Sequence, residues 1–125
     1  MNLIELEGKL YVLTLDRGVD VLKGIEEAFL SSGWSEAIVL NAIGSVERAV
    51  VSYPEDSSFP PKVLKSVYEG PFEVCSLVGT ISKRDGVPFS HLHVSLTNRG
   101  EKFYGGGLQE GSLVYRSLQI FIIAK

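Results

Sequence analysis

An α+β domain with a mainly antiparallel, highly curved β-sheet and one main α-helix is the fold that this sequence predicts. Three observations carry that reading. Apolar and polar residues alternate with period two in segment after segment between Lys9 and Ile123; helical spacing is confined to Val21–Phe29; and glycine or proline punctuates the boundaries between β segments. About eight strands and one helix, with no repeat or linker, predict a single domain over residues 1–125. With 45% hydrophobic and 22% charged residues, the chain can build a core without staples.

The first firm strand is Lys9–Asp16, rich in β-formers and closed by Arg17-Gly18. Asp20 stands at an N-cap position, where its carboxylate accepts from free amides of the first helical turn. Val21, Leu22, Ile25, Ala28 and Phe29 then follow at helical spacing, and Gly33 is the C′ residue. Glu26-Glu27 lies off the apolar stripe and reads as a solvated face. Ser35–Ile43 is a continuous apolar run, predicting a central strand covered on both faces. Gly44-Ser45 breaks it, and Glu47–Tyr53 is the next strand. The segment from Pro54 to Pro61 is the one long loop. Val63–Glu69 and Phe72–Ser82 are strands separated by Gly70-Pro71, and Lys83-Arg84-Asp85-Gly86 is a hairpin turn. Asn98-Arg99-Gly100-Glu101 is a second turn, and Ser112–Ile123 a long final strand. Between them, Gly105-Gly106-Gly107 allows a bend, a bulge or the wall of a ligand pocket.

Both histidines lie in Pro88-Phe89-Ser90-His91-Leu92-His93-Val94-Ser95-Leu96. Strand side chains alternate between faces, so His91 and His93 share one face with Phe89 and Ser95, while Leu92, Val94 and Leu96 face the core. Two imidazoles two residues apart, about 6.5–7 Å at Cβ, can converge on one ion or one small anion, or stand as a half-exposed pair without a ligand. Cys75 is the sole cysteine, which rules out an internal disulfide; its apolar surroundings, Phe72–Val78, predict a buried, inert thiol. In one hairpin register it faces His93 as a further ligand, and in the next it faces away.

Composition excludes several functions. Residues 1–7 lack a basic n-region, and nowhere do about 18 apolar residues run together, so a soluble cytoplasmic protein is expected, without a membrane partner. Net charge is −3 and the pI about 5.4, the wrong sign for a long phosphate-neutralising footprint. No Walker loop, Gly-x-Ser-x-Gly elbow, His-Glu-x-x-His or Cys-x-x-Cys occurs, so a binding or regulatory role ranks ahead of an enzyme.

Taken together and in order, several segments resemble the PPC (plant and prokaryote conserved) domain, over nearly the whole chain. They are Gly18-Val19-Asp20, Ala42-Ile43-Gly44-Ser45-Val46, Tyr68–Val74, Leu77–Ser82, Pro88–Leu96 and Gly105-Gly106-Gly107-Leu108. The resemblance implies an α+β fold, a homotrimer, and the provisional DNA-binding label that stand-alone prokaryotic members carry; no AT-hook occurs here. Some members add a third histidine to the His-x-His pair in an arrangement like a zinc site. The ligand-binding set it implies in this chain is His91, His93, Gly105, Gly106, Gly107 and Gln119, with His91 and His93 as metal ligands and zinc as the candidate ion. Three positions depart from the pattern: Gly107 stands where the third histidine falls, Gln119 replaces a glutamate, and Pro71 replaces an arginine. DNA-associated regulation by a homotrimer is therefore the first expectation; the alternative is a metal- or small-ligand-binding protein, a hydrolytic enzyme among its forms, that uses His91 and His93 as ligands or acid-base groups.

The charge balance makes one expectation testable at once. The purified protein should bind duplex DNA weakly and without sequence preference at physiological salt. A gel-shift titration checks this, and nanomolar, sequence-dependent affinity overturns it.

Overall fold

A computed structural model describes every residue, Met1–Lys125. The order of elements is β1 (Lys9–Asp16), α1 (Val21–Ser31), β2 (Ala37–Pro54), β3 (Val63–Arg84), β4 (Val87–Asn98), β5 (Lys102–Leu108) and β6 (Leu113–Ala124). The strands form one antiparallel sheet in the order β1-β6-β2-β3-β4-β5. No helix is long and apolar enough to cross a membrane.

Local signals place the start of the chain as expected. β1 spans Lys9–Asp16, and Asp20 caps α1: its Oδ1 accepts from the Lys23 amide at 3.1 Å. The same carboxylate reaches further than its own helix, because Oδ2 accepts from the Gly111 amide at 2.8 Å and so ties α1 to the β5–β6 connection. Gly33 follows the last turn at φ +71, the left-handed conformation a C′ glycine adopts. Val21, Ile25 and Phe29 are buried in the concave face of the sheet, among Val39, Leu77, Leu96 and Ile120.

The middle of the chain departs from expectation. Ala37–Pro54 is one strand of 18 residues rather than two, and Val63–Arg84 one of 22 rather than two. Glycine and proline interrupt the local pattern, but cross-strand hydrogen bonds carry each strand through the interruption as a register shift, at Gly44–Arg48 in β2 and opposite it in β3. Nor is β2 covered on both faces. Val39 and Ala42 are buried, whereas Leu40 and Ile43 are exposed on the convex side. Cys75 is exposed, not buried: the register of β3 against β4 shifts between Val74 and Ser76, leaving Cys75 as the unpaired residue that turns outward. That shift also settles its partner, since Val78 and not Cys75 stands opposite His93.

Because β2 is long and bent, its two halves meet different neighbours along one edge. The first half pairs with β6, while Val51 and Ser52 pair with Leu108 and Gly107 of β5. β2, β3, β4 and β5 therefore close on themselves, and the glycine run lies in the closing seam as a strand, not as a bend. A Cβ on Gly105 would stand 2.7 Å from the Val94 carbonyl oxygen, and one on Gly106 would collide with the Ser52 carbonyl oxygen. Backbones approach at the seam more closely than any side chain permits.

Closure by close approach predicts a position-specific cost. Gly106→Ala should destabilise the fold by about 2–5 kcal/mol, since its methyl group overpacks against main chain that cannot rotate away. Gly100→Ala, at φ +71 in open space, should cost only about 1 kcal/mol. Denaturant unfolding of both variants measures the contrast, and equal losses would show that the seam relaxes.

Candidate histidine site

β4 presents the two histidines as its alternation dictates: Leu92, Val94 and Leu96 are buried, while His91 and His93 project from the convex face. Their rings lean together, with centroids 5.2 Å apart and planes at 71°. The strand is held beneath them from the opposite side, where the Ser90 hydroxyl donates to Glu26 of α1 at 2.6 Å. Glu26 is thus a helix-to-sheet tether, not the purely solvated residue that its place off the apolar stripe suggests.

Ladder register completes the surroundings. Thr80 stands opposite His91 and Val78 opposite His93 on β3. On the other side Gly107 stands opposite His93, and Ser52 stands opposite Gly107. Directly opposed residues point to the same face, so His93, the bare Cα of Gly107 and the Ser52 side chain form one row. Ser52 Oγ accepts a hydrogen bond from Gln109 Nε2 at 3.0 Å. His91, His93, Gly106, Gly107, Ser52 and Gln109 line a cavity of about 430 Å³, with Pro61 of the long loop at its rim.

Sequence reasoning missed Ser52 and Gln109. Gln109 follows the glycine run directly, but Ser52 lies 41 positions from His93 (93 − 52) and is brought there only by the β2–β5 seam. The other expected members are placed apart. Gly105 pairs with Ser95, further along β4. Gln119 is exposed on β6, opposite Thr14 and Ile43; β2 and β3 separate its strand from β4, about 14 Å at ordinary strand spacing. In the long loop, the Ser58 hydroxyl and then its backbone amide, at 2.8 Å, hold the Asp56 carboxyl below its ordinary value.

The donor set of one chain does not fit zinc. Structural zinc takes four protein ligands and catalytic zinc three, whereas no group of three or more His, Cys, Asp or Glu side chains comes together here. Beside the imidazoles stand a hydroxyl and an amide, both neutral and already bonded to each other. What the cavity offers is imidazole, hydroxyl and amide groups, donors and acceptors of the kind that a small polar ligand uses.

Residues 4–124 match the family model of the Plants and Prokaryotes Conserved (PCC) domain. A metal-containing protein of Archaeoglobus fulgidus is 33% identical, with 99% of this chain and 85% of that one aligned at a TM-score of 0.84. A plant- and prokaryote-conserved protein of Pyrococcus horikoshii is 30% identical over 94% of this chain and 80% of its own, at 0.77. A Bacteroides thetaiotaomicron protein provisionally named as DNA-binding shares the fold at 16% identity, over 97% of this chain and 81% of its own, with a TM-score of 0.80. Among curated proteins, the bifunctional protein GlmU of Synechococcus sp. is 25% identical over 114 residues, 91% of this chain; the chain spans 16% of that relative's length.

Gly107 makes the ligand deficit testable. Its backbone is not left-handed, so a side chain is obstructed only by Ser52 Oγ, 2.6 Å from the position of a Cβ. Gly107→His combined with Ser52→Ala should therefore bind zinc at least about tenfold more tightly than the natural chain, and His91→Ala should abolish the gain. Calorimetric titration with thermal melts measures both. Tight zinc binding by the natural chain would show that another group completes the site.

Proposed function

The chain belongs to the Plants and Prokaryotes Conserved (PCC) domain family, and we propose that it works as a homotrimeric, DNA-associated regulatory protein that meets its partners through an assembled protein surface. One observation carries this reading: the sheet has a second apolar face. Leu10, Ile123, Ile38, Thr80 and His91 form a single cross-strand row on the convex side, over five strands. Around that row Leu10 is 73%, Val12 58% and Ile43 63% exposed. A broad apolar patch on a small domain marks an interaction surface. Its occupant is a second copy of the same chain, in the trimer that the family resemblance implies. DNA association draws its support from the provisional name of a protein with the same fold. A net charge of −3 favours reaching DNA through a partner rather than by broad contact with phosphates.

A second reading is favoured by the cavity at His91 and His93 and by the metal-containing relative. In it, the same pair holds a metal or a small polar ligand. The row that ends at His91 belongs to the face that assembly would cover, so a neighbouring copy would supply the ligands that one chain lacks. Gln119, exposed on that face, is the candidate among the expected residues.

Light scattering at micromolar concentration tests the assembly. A trimer mass is expected, reduced to a monomer by Ile43→Glu, which places a charge in the middle of the apolar face. A monomer mass for the natural chain overturns the proposal.

A further inference from the structure

Irregularities of the sheet gather at one place away from the histidines. β2 pairs Gly44 with Leu118 and Val46 with Val114, so Tyr115, Arg116 and Ser117 of β6 stand opposite Ser45 alone. β2 slips again, against β3, between Val46 and Arg48. Bulges of this kind bend a strand and re-aim its side chains, and they concentrate beside functional sites. Here the bulge is fastened by Ser45, one of two buried polar residues, whose hydroxyl accepts from the Arg116 amide at 3.3 Å. Tyr115 and Arg116 consequently line a cleft of about 710 Å³, the size of a small-molecule site.

The opposite wall is the turn between β4 and β5. Arg99 occupies it at φ +55, a conformation uncommon for an arginine, followed by Gly100 at φ +71. Arg99, Lys102 and Arg116 all line the cleft, and none takes part in the ion pairs of the fold, which join Lys23 to Glu110, Arg48 to Glu69 and Lys125 to Glu36. Glu73 and Glu101 line it as well, also without an ion pair. Tyr104 gives the cleft a fixed aromatic wall, its ring 4.7 Å from that of Tyr68 and 5.3 Å from that of Phe72.

We infer that this cleft binds a nucleoside phosphate. Two guanidinium groups and one ammonium suit a phosphate, which arginine grips through paired hydrogen bonds. The two carboxylates accept from the ribose hydroxyls, and the tyrosine rings offer a surface for the base. A continuous nucleic-acid backbone fits less well, because the carboxylates that serve a sugar would face successive phosphates. This cleft is separate from the histidine cavity: Thr97, on its wall, lies four residues beyond His93, about 13 Å along β4.

Calorimetric titration of the full chain with adenosine and guanosine monophosphates tests the inference. Saturable binding is expected, with adenosine and inorganic phosphate each at least about tenfold weaker than the nucleotide. Arg116→Gln and Lys102→Gln should each weaken nucleotide binding about tenfold, the loss of one charge-assisted contact, whereas Lys9→Gln, the same charge change on β1, should not. Lys102 lies on the turn-side wall, so it reads the site independently if Arg116→Gln disturbs the bulge; thermal melts monitor both. Absence of nucleotide binding at millimolar concentration overturns the inference, as does binding indifferent to both substitutions. Inorganic phosphate bound as tightly as nucleotide reduces the cleft to an anion site. Duplex DNA bound more tightly through the same residues makes it a backbone groove; either result also overturns the inference.

Discussion

The close approach of β5 to β2 and β4 is the constraint on which the rest of the structure depends. A β-sheet closes only where backbones reach hydrogen-bonding distance on both sides of the last strand, and at Gly105 and Gly106 carbonyl oxygens of Val94 and Ser52 occupy the space of a Cβ. Glycine is the residue that removes the obstruction. Closure in turn fixes the concave interior that receives Val21, Ile25 and Phe29 of the helix, and it lays Ser52 and Gly107 beside His93. The core and the histidine cavity are thus two consequences of one seam.

Closure also sorts the sheet into two unequal faces. Inside, residues of every strand join one core, from a single buried side chain in β1 and β5 to alternate ones in β4 and β6. Outside, the row from Leu10 to His91 passes from wholly apolar side chains to an imidazole within five strands. The histidines therefore sit at the margin of an apolar surface, not in the centre of a deep polar pocket. That placement explains why one chain supplies so few donors around them: their other neighbours are Val78, Thr80 and a glycine.

Polar chemistry is concentrated at the opposite end of β4, where the long strands yield their excess length as bulges. Strands of 18 and 22 residues cannot keep an ideal register on a surface this curved. The mismatch is absorbed around Ser45, where a buried hydroxyl replaces a backbone partner for Arg116. Tyr115 and Arg116, which lie in that irregular stretch of β6, line the cleft.

Features written in local physics were legible in the sequence. β1, the Asp20 cap, the Gly33 terminus, the Asp85-Gly86 turn and the common face of His91 and His93 all follow from side-chain period, capping and positive-φ chemistry within a few residues. The ordered motifs likewise carried the family, which the match over residues 4–124 bears out. Tertiary structure alone decided the rest, because it depends on pairing between distant strands. Gly44 and Pro71 look like strand ends until their partners carry the ladder past them. Cys75 looks buried because its neighbours are apolar, but period-two alternation from buried Phe72 and Val74 turns it outward, and the register shift at that point is what returns Leu77 to the core. Ser52 and Gln109 join the histidines, and Gln119 does not, because the β2–β5 seam and the strand order set those distances, and no spacing along the chain encodes either.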